Sequence, residues 1–352
     1  MKQFNYKANS EIYLQNEFNS IPGDKSISHR AIICGALANN TSYFTNFLFS
    51  EDCLNTIAIF QLLGVHIDID SSHLVTVKGV GLHGLKEAYK PLDVGNSGTG
   101  IRLITGVLAG QSFNSTISGD NSIQTRPMKR IIDPLSQMDA NILGNQSEKG
   151  DITPPLTITG QPSLQATTYT LPIASAQVKS AILFASLYSQ DSTTVIEPEL
   201  CRNHTEKMLH GFGADITVNG KEIRCSGKNE LKNPYNDAIF IPSDISSAAF
   251  FIVLGCIIKG AHFMIKGIGL NETRATIIDV LKMMGADITI HNIKGQDVEP
   301  YGDIEVRYSQ LHNIHIPEET IPFLIDERFF IDAIGFGLSY KIELLYKEKV
   351  KY

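Results

Sequence analysis

The chain has 352 residues, of which 43% are hydrophobic, and it carries a formal net charge of −7. This length suggests two domains, each large enough to bury its own core. The net charge is negative and the charged residues form no long block of one sign, which argues against bulk attraction to nucleic acid or to a membrane surface. The sequence contains no run of about 18 apolar residues, so no transmembrane helix is predicted.

Five cysteines are widely spaced and none forms a CxxC pair: Cys34, Cys53, Cys201, Cys225 and Cys256. Their odd number and spacing predict neither a disulfide framework nor a zinc site, and no metal or organic cofactor is expected. The first 18 residues lack the apolar core of a signal peptide. We therefore expect a cytoplasmic protein.

The first predicted helix opens with an unusual amount of positive charge, in the stretch IPGDKSISHRAIICGALA from Ile21 to Ala38. A helix N-terminus already carries about half a positive charge, so Lys25 and Arg30 are unfavourable there unless a ligand balances them. Unpaired N–H groups at the same end could bind that ligand, which predicts an anion site. The alternative is a solvated, lysine-rich loop.

Similar openings recur along the chain, in GNSGTGIRLITGVLAG, ASAQVKSAILFASLYS and SDISSAAFFIVLGC. Each joins a polar or glycine-rich start to a helix that is apolar all round, which predicts helices buried inside a domain. Arg102 follows Arg30 by 72 positions, and Lys179 follows Arg102 by 77. If these helices pack together, their N-termini can point at one place and share the anion site.

A second repeat consists of a helix end, a turn and a short strand. Its turn residues are Gly64, Asp139, Gly213 and Gly285, which follow one another at intervals of 72 to 75 positions. Glycine and aspartate suit the left-handed position that ends many helices. Four such segments at nearly constant spacing predict an internal repeat, with the intervening strands forming outer sheets.

Eight motifs in fixed order resemble the 5-enolpyruvylshikimate-3-phosphate (EPSP) synthase family, the 3-phosphoshikimate 1-carboxyvinyltransferases: GDKSISHR, GNSGTGIRL, RPMKRIIDPL, SAQVKSAI, RNHTEKML, SDISSAAFF, LNETRATI and LIDE. The resemblance spans about residues 15 to 327 and is closest to the family's second class, which tends to tolerate glyphosate. It implies an α/β (α+β) fold: a two-domain, inverse α/β barrel-like structure of βαβαββ units with buried helices. The implied domains are 21–240, with three whole repeats, and 1–20 plus 241–352.

The reaction implied by the resemblance transfers the enolpyruvyl group of phosphoenolpyruvate to the 5-hydroxyl of shikimate 3-phosphate and releases phosphate. This is a step of the shikimate pathway, which leads to chorismate and the aromatic amino acids. The implied partners are these two small anions, with no cofactor, no nucleic acid and no membrane, and the implied enzyme is a monomeric transferase.

Family contacts in the first two motifs fall on five residues. The resemblance gives Lys25 a catalytic role at both substrates, where it would stabilise charge that develops in the tetrahedral intermediate. Ser26 and Arg30 would hold shikimate 3-phosphate. Asn96 and Gly98 would lie beside phosphoenolpyruvate, and only glycine at position 98 would let the backbone approach closely.

Later motifs supply the remaining implied site residues. Arg126 would bind phosphoenolpyruvate, because a guanidinium fork fits carboxylate or phosphate bidentately. Ser175 would hold the phosphate of shikimate 3-phosphate, and Gln177 would lie between the substrates. The family's proton acceptor falls on Asp326, for which an ordinary helix N-cap is the alternative.

The RNHTE motif contributes Arg202, His204 and Glu206. The resemblance includes Arg202 among the substrate-binding residues, whereas a structural hydrogen-bond network is an equal alternative for the individual side chains of this motif. Cys201 stands where the family often has serine.

Beyond Asp326 the sequence departs from the family pattern, and only KEK, with Lys347 and Glu348, echoes its later motif. Six repeat units would need about 440 residues, so we expect the fifth unit to be unfinished and the sixth mostly absent. A shortened enzyme and a non-catalytic remnant that binds shikimate 3-phosphate both remain open.

Two further alternatives are less favoured by the residues. A sister enzyme that acts on UDP-N-acetylglucosamine is disfavoured because GDKSISHR and SAQVK are motifs of the shikimate branch. An RNA-end-processing protein that shares the repeat is disfavoured by the acidic net charge and by the lack of a basic stripe.

Overall fold

The computed structural model describes residues 17–18, 20–148 and 150–324. This part of the chain contains eight α-helices and two short 3-10 segments, at Ile123–Thr125 and Glu318–Leu324. The α-helices are α1 Lys25–Leu37, α2 Glu51–Leu62, α3 Gly98–Ala109, α4 Lys129–Ser136, α5 Ala176–Ser186, α6 His204–Gly211, α7 Ile245–Ile257 and α8 Thr276–Met283.

Sixteen strands in the described residues form four sheets of four strands each. The strands are β1 Glu17–Phe18, β2 Thr41–Thr45, β3 His66–Ile69, β4 Val75–Lys78, β5 Leu92–Asp93, β6 Ser115–Ser118, β7 Asn141–Gln146, β8 Ile152–Thr159, β9 Thr168–Thr170, β10 Thr193–Ile196, β11 Asp215–Asn219, β12 Glu222–Ser226, β13 Ile239–Phe240, β14 His262–Gly269, β15 Asp287–Lys294 and β16 Tyr301–Arg307. The sheet orders are β13-β2-β4-β3, β5-β6-β8-β7, β9-β10-β12-β11 and β1-β14-β16-β15.

All four sheets share one design, with one parallel pair followed by two antiparallel pairs. Two sheets take their first strand from a distant part of the chain: β1 pairs with β14, and β13 pairs with β2. The chain therefore passes twice between the fourth sheet and the other three. At these crossings Asp24 N donates to Pro242 O at 2.8 Å, and Asp244 N donates to Pro22 O at 2.9 Å.

The predicted burial of the apolar helices is confirmed for α1, α3 and α5. Every residue is buried from Ile27 to Leu37 in α1, from Gly100 to Ala109 in α3 and from Val178 to Ser186 in α5. Small residues allow the close approach of α3 to α5, since a Cβ added at Gly106 would lie 2.2 Å from the carbonyl oxygen of Ala181. Helix α7 is also apolar, but only part of it is buried.

The predicted repeat turns are confirmed by the backbone. The φ angles are +89° at Gly64, +66° at Asp139, +81° at Gly213 and +95° at Gly285. All four therefore lie in the left-handed region, which glycine reaches without strain and which aspartate tolerates better than most residues. The four repeated sequence segments thus share the same left-handed turn conformation in the structure.

Buried apolar residues form two clusters. One lies among the first three sheets and includes Phe44, Phe60 and Phe184, and the other lies beneath the fourth sheet and includes Ile252 and Phe263. The proposed boundary at residue 240 stays a prediction. No helix among the described residues is long and apolar enough to cross a bilayer.

Candidate active site

The N-termini of α1, α3 and α5 lie together, as the repeat predicts. Ser97, the N-cap of α3, has its Oγ 3.3 Å from Nε2 of His29 in the first turns of α1. Gln177 in the first turn of α5 donates from Nε2 to Oγ1 of Thr99 in α3 at 3.1 Å. Three positive helix ends therefore converge on one region, which favours the binding of an anion there.

Lys25 begins α1 and points outward. Its Nζ lies 3.1 Å from Asp52 Oδ2, and 52% of its side chain is exposed. The acid that a helix N-terminus prefers is the preceding residue, Asp24, whose Oδ1 accepts from Ile27 N at 3.0 Å. The capping function is thus met by Asp24, and the ammonium group of Lys25 stays accessible to a ligand. Ser26 is half-buried beside it.

Arg30 is buried and holds three helices together. Its Nε donates to Thr205 Oγ1 at 2.6 Å, its Nη1 to Ser26 O at 2.8 Å and its Nη2 to Ser180 Oγ at 2.8 Å. Burial lowers the pKa of Arg30, and the charge of Glu206 opposes that shift. Since a guanidinium has five N–H donors, part of the fork remains for a substrate.

The glycine-rich loop brings Asn96, Gly98 and Arg126 together. Asn96 donates from Nδ2 to Asp120 Oδ2 at 2.7 Å, and its Oδ1 accepts from Arg126 Nη2 at 3.3 Å. A Cβ added at Gly98 would lie 2.7 Å from Arg126 Nη1 and 3.0 Å from Arg102 Nη1. Two guanidinium groups therefore approach the backbone where a side chain would block them.

The SAQVK motif opens α5 at the same place. Ser175 is the half-buried N-cap, and its Oγ accepts from Val178 N at 3.5 Å. Gln177 Oε1 accepts from Arg102 Nη1 at 2.7 Å, which ties α5 to α3. The structure thus brings Ser175 and Gln177 beside the glycine-rich loop.

Lys179, in the same motif, is wholly buried in an ion cluster. Its Nζ lies 2.6 Å from Glu206 Oε1, 2.9 Å from Glu197 Oε1 and 3.4 Å from the carbonyl oxygen of Cys201. Burial alone would lower the pKa of Lys179, but Glu206, Cys201 and Glu197 raise it above its ordinary value. Burial raises the pKa of Glu206, against the charge of Lys179.

Cys201 belongs to the same cluster. Its Sγ donates to Glu197 Oε1 at 2.6 Å, and burial raises the pKa of the thiol to about 12. A thiol with so high a pKa is a poor nucleophile, since the thiolate is the reactive form. Cys201 therefore helps to fix the loop that leads into α6.

The RNHTE motif connects α6 with the fourth sheet. His204 Nδ1 lies 2.7 Å from Glu299 Oε1, and Asn271 donates from Nδ2 to Glu299 Oε2 at 3.0 Å. Burial alone would raise the pKa of Asp24, but His204, Arg274, a hydrogen bond from Ile27 and Arg202 together lower it. Half-buried Arg202 thus acts electrostatically on the start of α1, near Lys25.

Two buried groups that the sequence did not indicate complete the site. Glu299 lies in a loop before β16 and belongs to none of the motifs, so no signal identified it. His29 belongs to the first motif and could have been identified there; burial, helped by the charge of Arg30, lowers its pKa to about 4. The imidazole is therefore neutral where it meets Ser97 and Thr56.

Asp326, Lys347 and Glu348 lie outside the described residues. Among the residues that are described, no group of three or more His, Cys, Asp or Glu side chains could hold a metal ion.

Comparisons with known proteins show to which family this chain belongs. The family model for EPSP synthase (3-phosphoshikimate 1-carboxyvinyltransferase) matches residues 12–343. The 3-phosphoshikimate 1-carboxyvinyltransferase of Geobacillus thermodenitrificans is 48% identical over 307 residues, which are 87% of this chain and 69% of that protein. The Bacillus cytotoxicus protein of the same name is 50% identical over 308 residues, or 88% and 71%.

A solved structure gives the same result for the fold. The EPSP synthase of Acinetobacter baumannii superimposes with a TM-score of 0.83 at 46% identity, over 89% of this chain and 69% of that one. This match confirms the α/β, two-domain fold expected from the motifs. The chain belongs to the EPSP synthase family, the 3-phosphoshikimate 1-carboxyvinyltransferases.

Proposed function

We propose that this chain transfers the enolpyruvyl group of phosphoenolpyruvate to the 5-hydroxyl of shikimate 3-phosphate, with release of phosphate. Family membership supports this reaction, which belongs to the shikimate pathway. The observation that carries it in this structure is the convergence of three helix N-termini with Lys25, Arg102 and Arg126. Such a dense cationic region suits two substrates that are both polyanions.

The chemistry needs positioned proton donors and acceptors as well as positive charge. The 5-hydroxyl oxygen bonds to C2 of phosphoenolpyruvate, C3 gains a proton, and the hydroxyl loses one. The tetrahedral intermediate then loses a proton from C3 and expels phosphate, which restores the double bond. Each proton transfer requires an acid or base within hydrogen-bond reach of the reacting atom.

Shikimate 3-phosphate is assigned to Ser26, Arg30 and Ser175. Support comes from the free donors of the Arg30 fork and from the position of Ser26 and Ser175 at the first turns of α1 and α5. Arg202 is assigned to the same binding region on the basis of its effect on Asp24 at the start of α1.

Phosphoenolpyruvate is assigned to Asn96, Gly98, Arg126 and Gln177, with Lys25 touching both substrates. The contact between Asn96 and Arg126 and the close approach of two guanidinium groups to Gly98 support this assignment. Lys25 would stabilise negative charge in the intermediate, because its ammonium group is accessible at the end of α1. Asp326 is assigned as the proton acceptor on the basis of the family motif.

Phosphate release from a mixture of both substrates tests the proposal, with shikimate 3-phosphate binding measured in parallel by calorimetry. We expect Lys25→Met to weaken that binding by roughly 1.5–3 kcal/mol, the value of a charge-assisted hydrogen bond. Asp326→Asn should bind both substrates and lose turnover. Binding of shikimate 3-phosphate by the unaltered chain without any phosphate release would contradict the transferase and favour a binding-only protein.

We also infer that the protein acts as a cytoplasmic monomer. All five cysteines are free, and four of them are buried, which suits a compartment that keeps thiols reduced. Light scattering during gel filtration tests the monomer, and fractionation of cells tests the location.

A further inference from the structure

Arg102 is a buried arginine that has no acidic partner among the described residues. It lies in the second turn of α3 and is 4% exposed. No acidic side chain of the described residues pairs with it, whereas two other buried cations, Lys179 and Arg30, lie close to glutamates. A buried charge normally needs a partner, so something other than the described protein should balance Arg102.

The hydrogen bonds of Arg102 are also incomplete. Its Nη1 donates to Gly98 O at 2.9 Å and to Gln177 Oε1 at 2.7 Å. In the part of the chain that the structure describes, its buried Nε has no hydrogen-bond partner. Burial, followed by the positive charges of Arg130 and Arg126, lowers the pKa of Arg102 to about 10, which still leaves the group charged near neutral pH.

The contact with Gln177 has a chemical consequence. A guanidinium has only donors, so the amide atom that faces Arg102 must be the oxygen. The amide nitrogen therefore faces the other way, where one N–H donates to Thr99 Oγ1 at 3.1 Å. The second N–H remains for a ligand, so Gln177 presents a donor, which an anion prefers.

We propose that Arg102 positions Gln177 and supplies a buried positive charge that a bound anion balances. Arg102 holds the amide oxygen, so the amide nitrogen stays directed at the anion site beside Gly98 and Arg126. This inference rests on the proposed function and names the anion as phosphoenolpyruvate. Arg102 is a positioning residue here, because it acts through Gln177 and through its charge.

The first test is a titration of the full chain with phosphoenolpyruvate and, separately, with inorganic phosphate, each in the presence of saturating shikimate 3-phosphate. Arg102→Met should weaken phosphoenolpyruvate binding about tenfold or more, as expected when a buried cation and its hydrogen bonds are removed. Arg102→Lys keeps the charge but loses the fork, so its loss should be smaller.

Arg130→Met is the matched control. It removes the same charge from an exposed side chain that acts on Arg102 only through space, so binding should change less than about twofold. Affinity for shikimate 3-phosphate should stay within about twofold in all three variants, because its assigned ligands are unaltered.

Gln177→Glu should affect the stability of the protein and its affinity for phosphoenolpyruvate differently. A carboxylate beside Arg102 would balance the buried charge, so the melting temperature of the ligand-free protein should not fall. The same carboxylate would repel the anion, so phosphoenolpyruvate binding should fall about tenfold or more. A purely structural Arg102 would instead give Arg102→Met a lower melting temperature and an unchanged affinity of the folded protein, which would overturn the proposal.

A spectroscopic measurement covers the case in which Arg102→Met fails to fold. The side-chain amide of Gln177 can be assigned in a nitrogen–proton correlation spectrum by its absence from Gln177→Glu. Arg102→Lys should move that signal and reduce its response to inorganic phosphate; an unmoved signal with an unchanged response would overturn the proposal.

Unaltered protein that binds neither phosphoenolpyruvate nor phosphate would overturn both this inference and the proposed function, whereas normal turnover by Arg102→Met would overturn this inference alone.

Discussion

Helices α3 and α7 have similar patterns of polar and apolar residues but different surroundings. Both begin with a polar turn and continue with apolar residues. Helix α3 is buried from Gly100 to Ala109 and packs on α1, α2, α4 and α5 as well as on strands of its own sheet. Helix α7 packs on β14 and β16, while Phe250, Leu254 and Ile257 are 55%, 41% and 44% exposed.

This difference shows that the sequence of a helix does not determine how completely it is buried. An apolar helix is covered all round only where elements pack on every side of it. Three sheets and their helices enclose α1, α3 and α5, whereas the described residues around the fourth sheet cover α7 on one side. Burial and polar networks should therefore carry more stability in the first three sheets than in the fourth.

The largest expected effect is in the ion cluster of α5. Lys179→Met should lower the free energy of unfolding by about 3–5 kcal/mol, because Glu197 and Glu206 would remain buried without their counter-charge. Urea unfolding measures this loss. The buried Oε2 of Glu206 already lacks a partner among residues 17–18, 20–148 and 150–324, so these residues offer no spare donor to replace Lys179.

A surface pair provides the control for this prediction. Lys221 Nζ lies 3.0 Å from Glu199 Oε2, with 47% and 69% of the two side chains exposed. Lys221→Met should therefore change the free energy of unfolding by less than about 1 kcal/mol. Equal losses for Lys179→Met and Lys221→Met would show that the buried cluster contributes no more than an exposed pair.

One substitution made in both helices tests the comparison directly. Leu103→Ala in α3 removes a side chain that is 0% exposed, and it should cost about 2–5 kcal/mol. Leu254→Ala in α7 removes one that is 41% exposed, and it should cost about 1 kcal/mol or less. Thermal unfolding of both variants gives the two values. Similar costs would mean that α7 is as well packed as α3.

Much of this architecture could be predicted from the sequence, because it rests on local chemistry. The left-handed turns at Gly64 and Gly285 follow from residue type, and the buried helices follow from uninterrupted apolar runs. The shared location of Gly98 and Gln177 followed from the assumption that repeated helices pack in register. The structure confirms that assumption through the contact of Gln177 with Thr99.

Contacts between distant segments could not be predicted in the same way. His204 meets Glu299, which is 95 positions later and belongs to no motif. Lys179 was assigned to a motif, but its pairing with Glu197 and Glu206 depends on how α5, α6 and β10 pack.

The helix caps at the two chain crossings provide a comparison in which the expected change in stability is of intermediate size. Asp24 caps α1 with a side chain that is 9% exposed, whereas Asp244 caps α7 with a side chain that is 22% exposed. Replacement of either by alanine should cost about 0.5–2 kcal/mol, with Asp24→Ala at the upper end because its partners are more buried. Urea unfolding of both variants tests this order, and a larger loss for Asp244→Ala would contradict it.

The Asp24 cap should also make stability depend on pH. Its pKa is lower in the folded protein than its ordinary value of 3.8, since His204, Arg274, the hydrogen bond from Ile27 and Arg202 together outweigh the effect of burial. The stabilisation is therefore complete above about pH 4 and is lost as the pH falls through the folded value. We expect the stability difference between the unaltered protein and Asp24→Asn to shrink below about pH 4. A difference that stays constant from neutral pH to acid would contradict this assignment.

The smallest expected effect is on the exposed face of α7. Leu254 and Ile257 lie three positions apart and so share one face of the helix. Replacement of both by glutamine should change the free energy of unfolding by less than about 1 kcal/mol, because both side chains already contact water. It should also reduce any self-association, since exposed apolar patches promote contacts between molecules.

Ile104 and Val107, which are 0% exposed and also three positions apart in α3, provide the control pair. Glutamine at both of these positions should prevent folding, as two polar amides would be buried without partners. Urea unfolding combined with light scattering tests both pairs; a loss of several kcal/mol from the α7 pair would show that this face is buried in the folded protein and that the two helices do not differ after all.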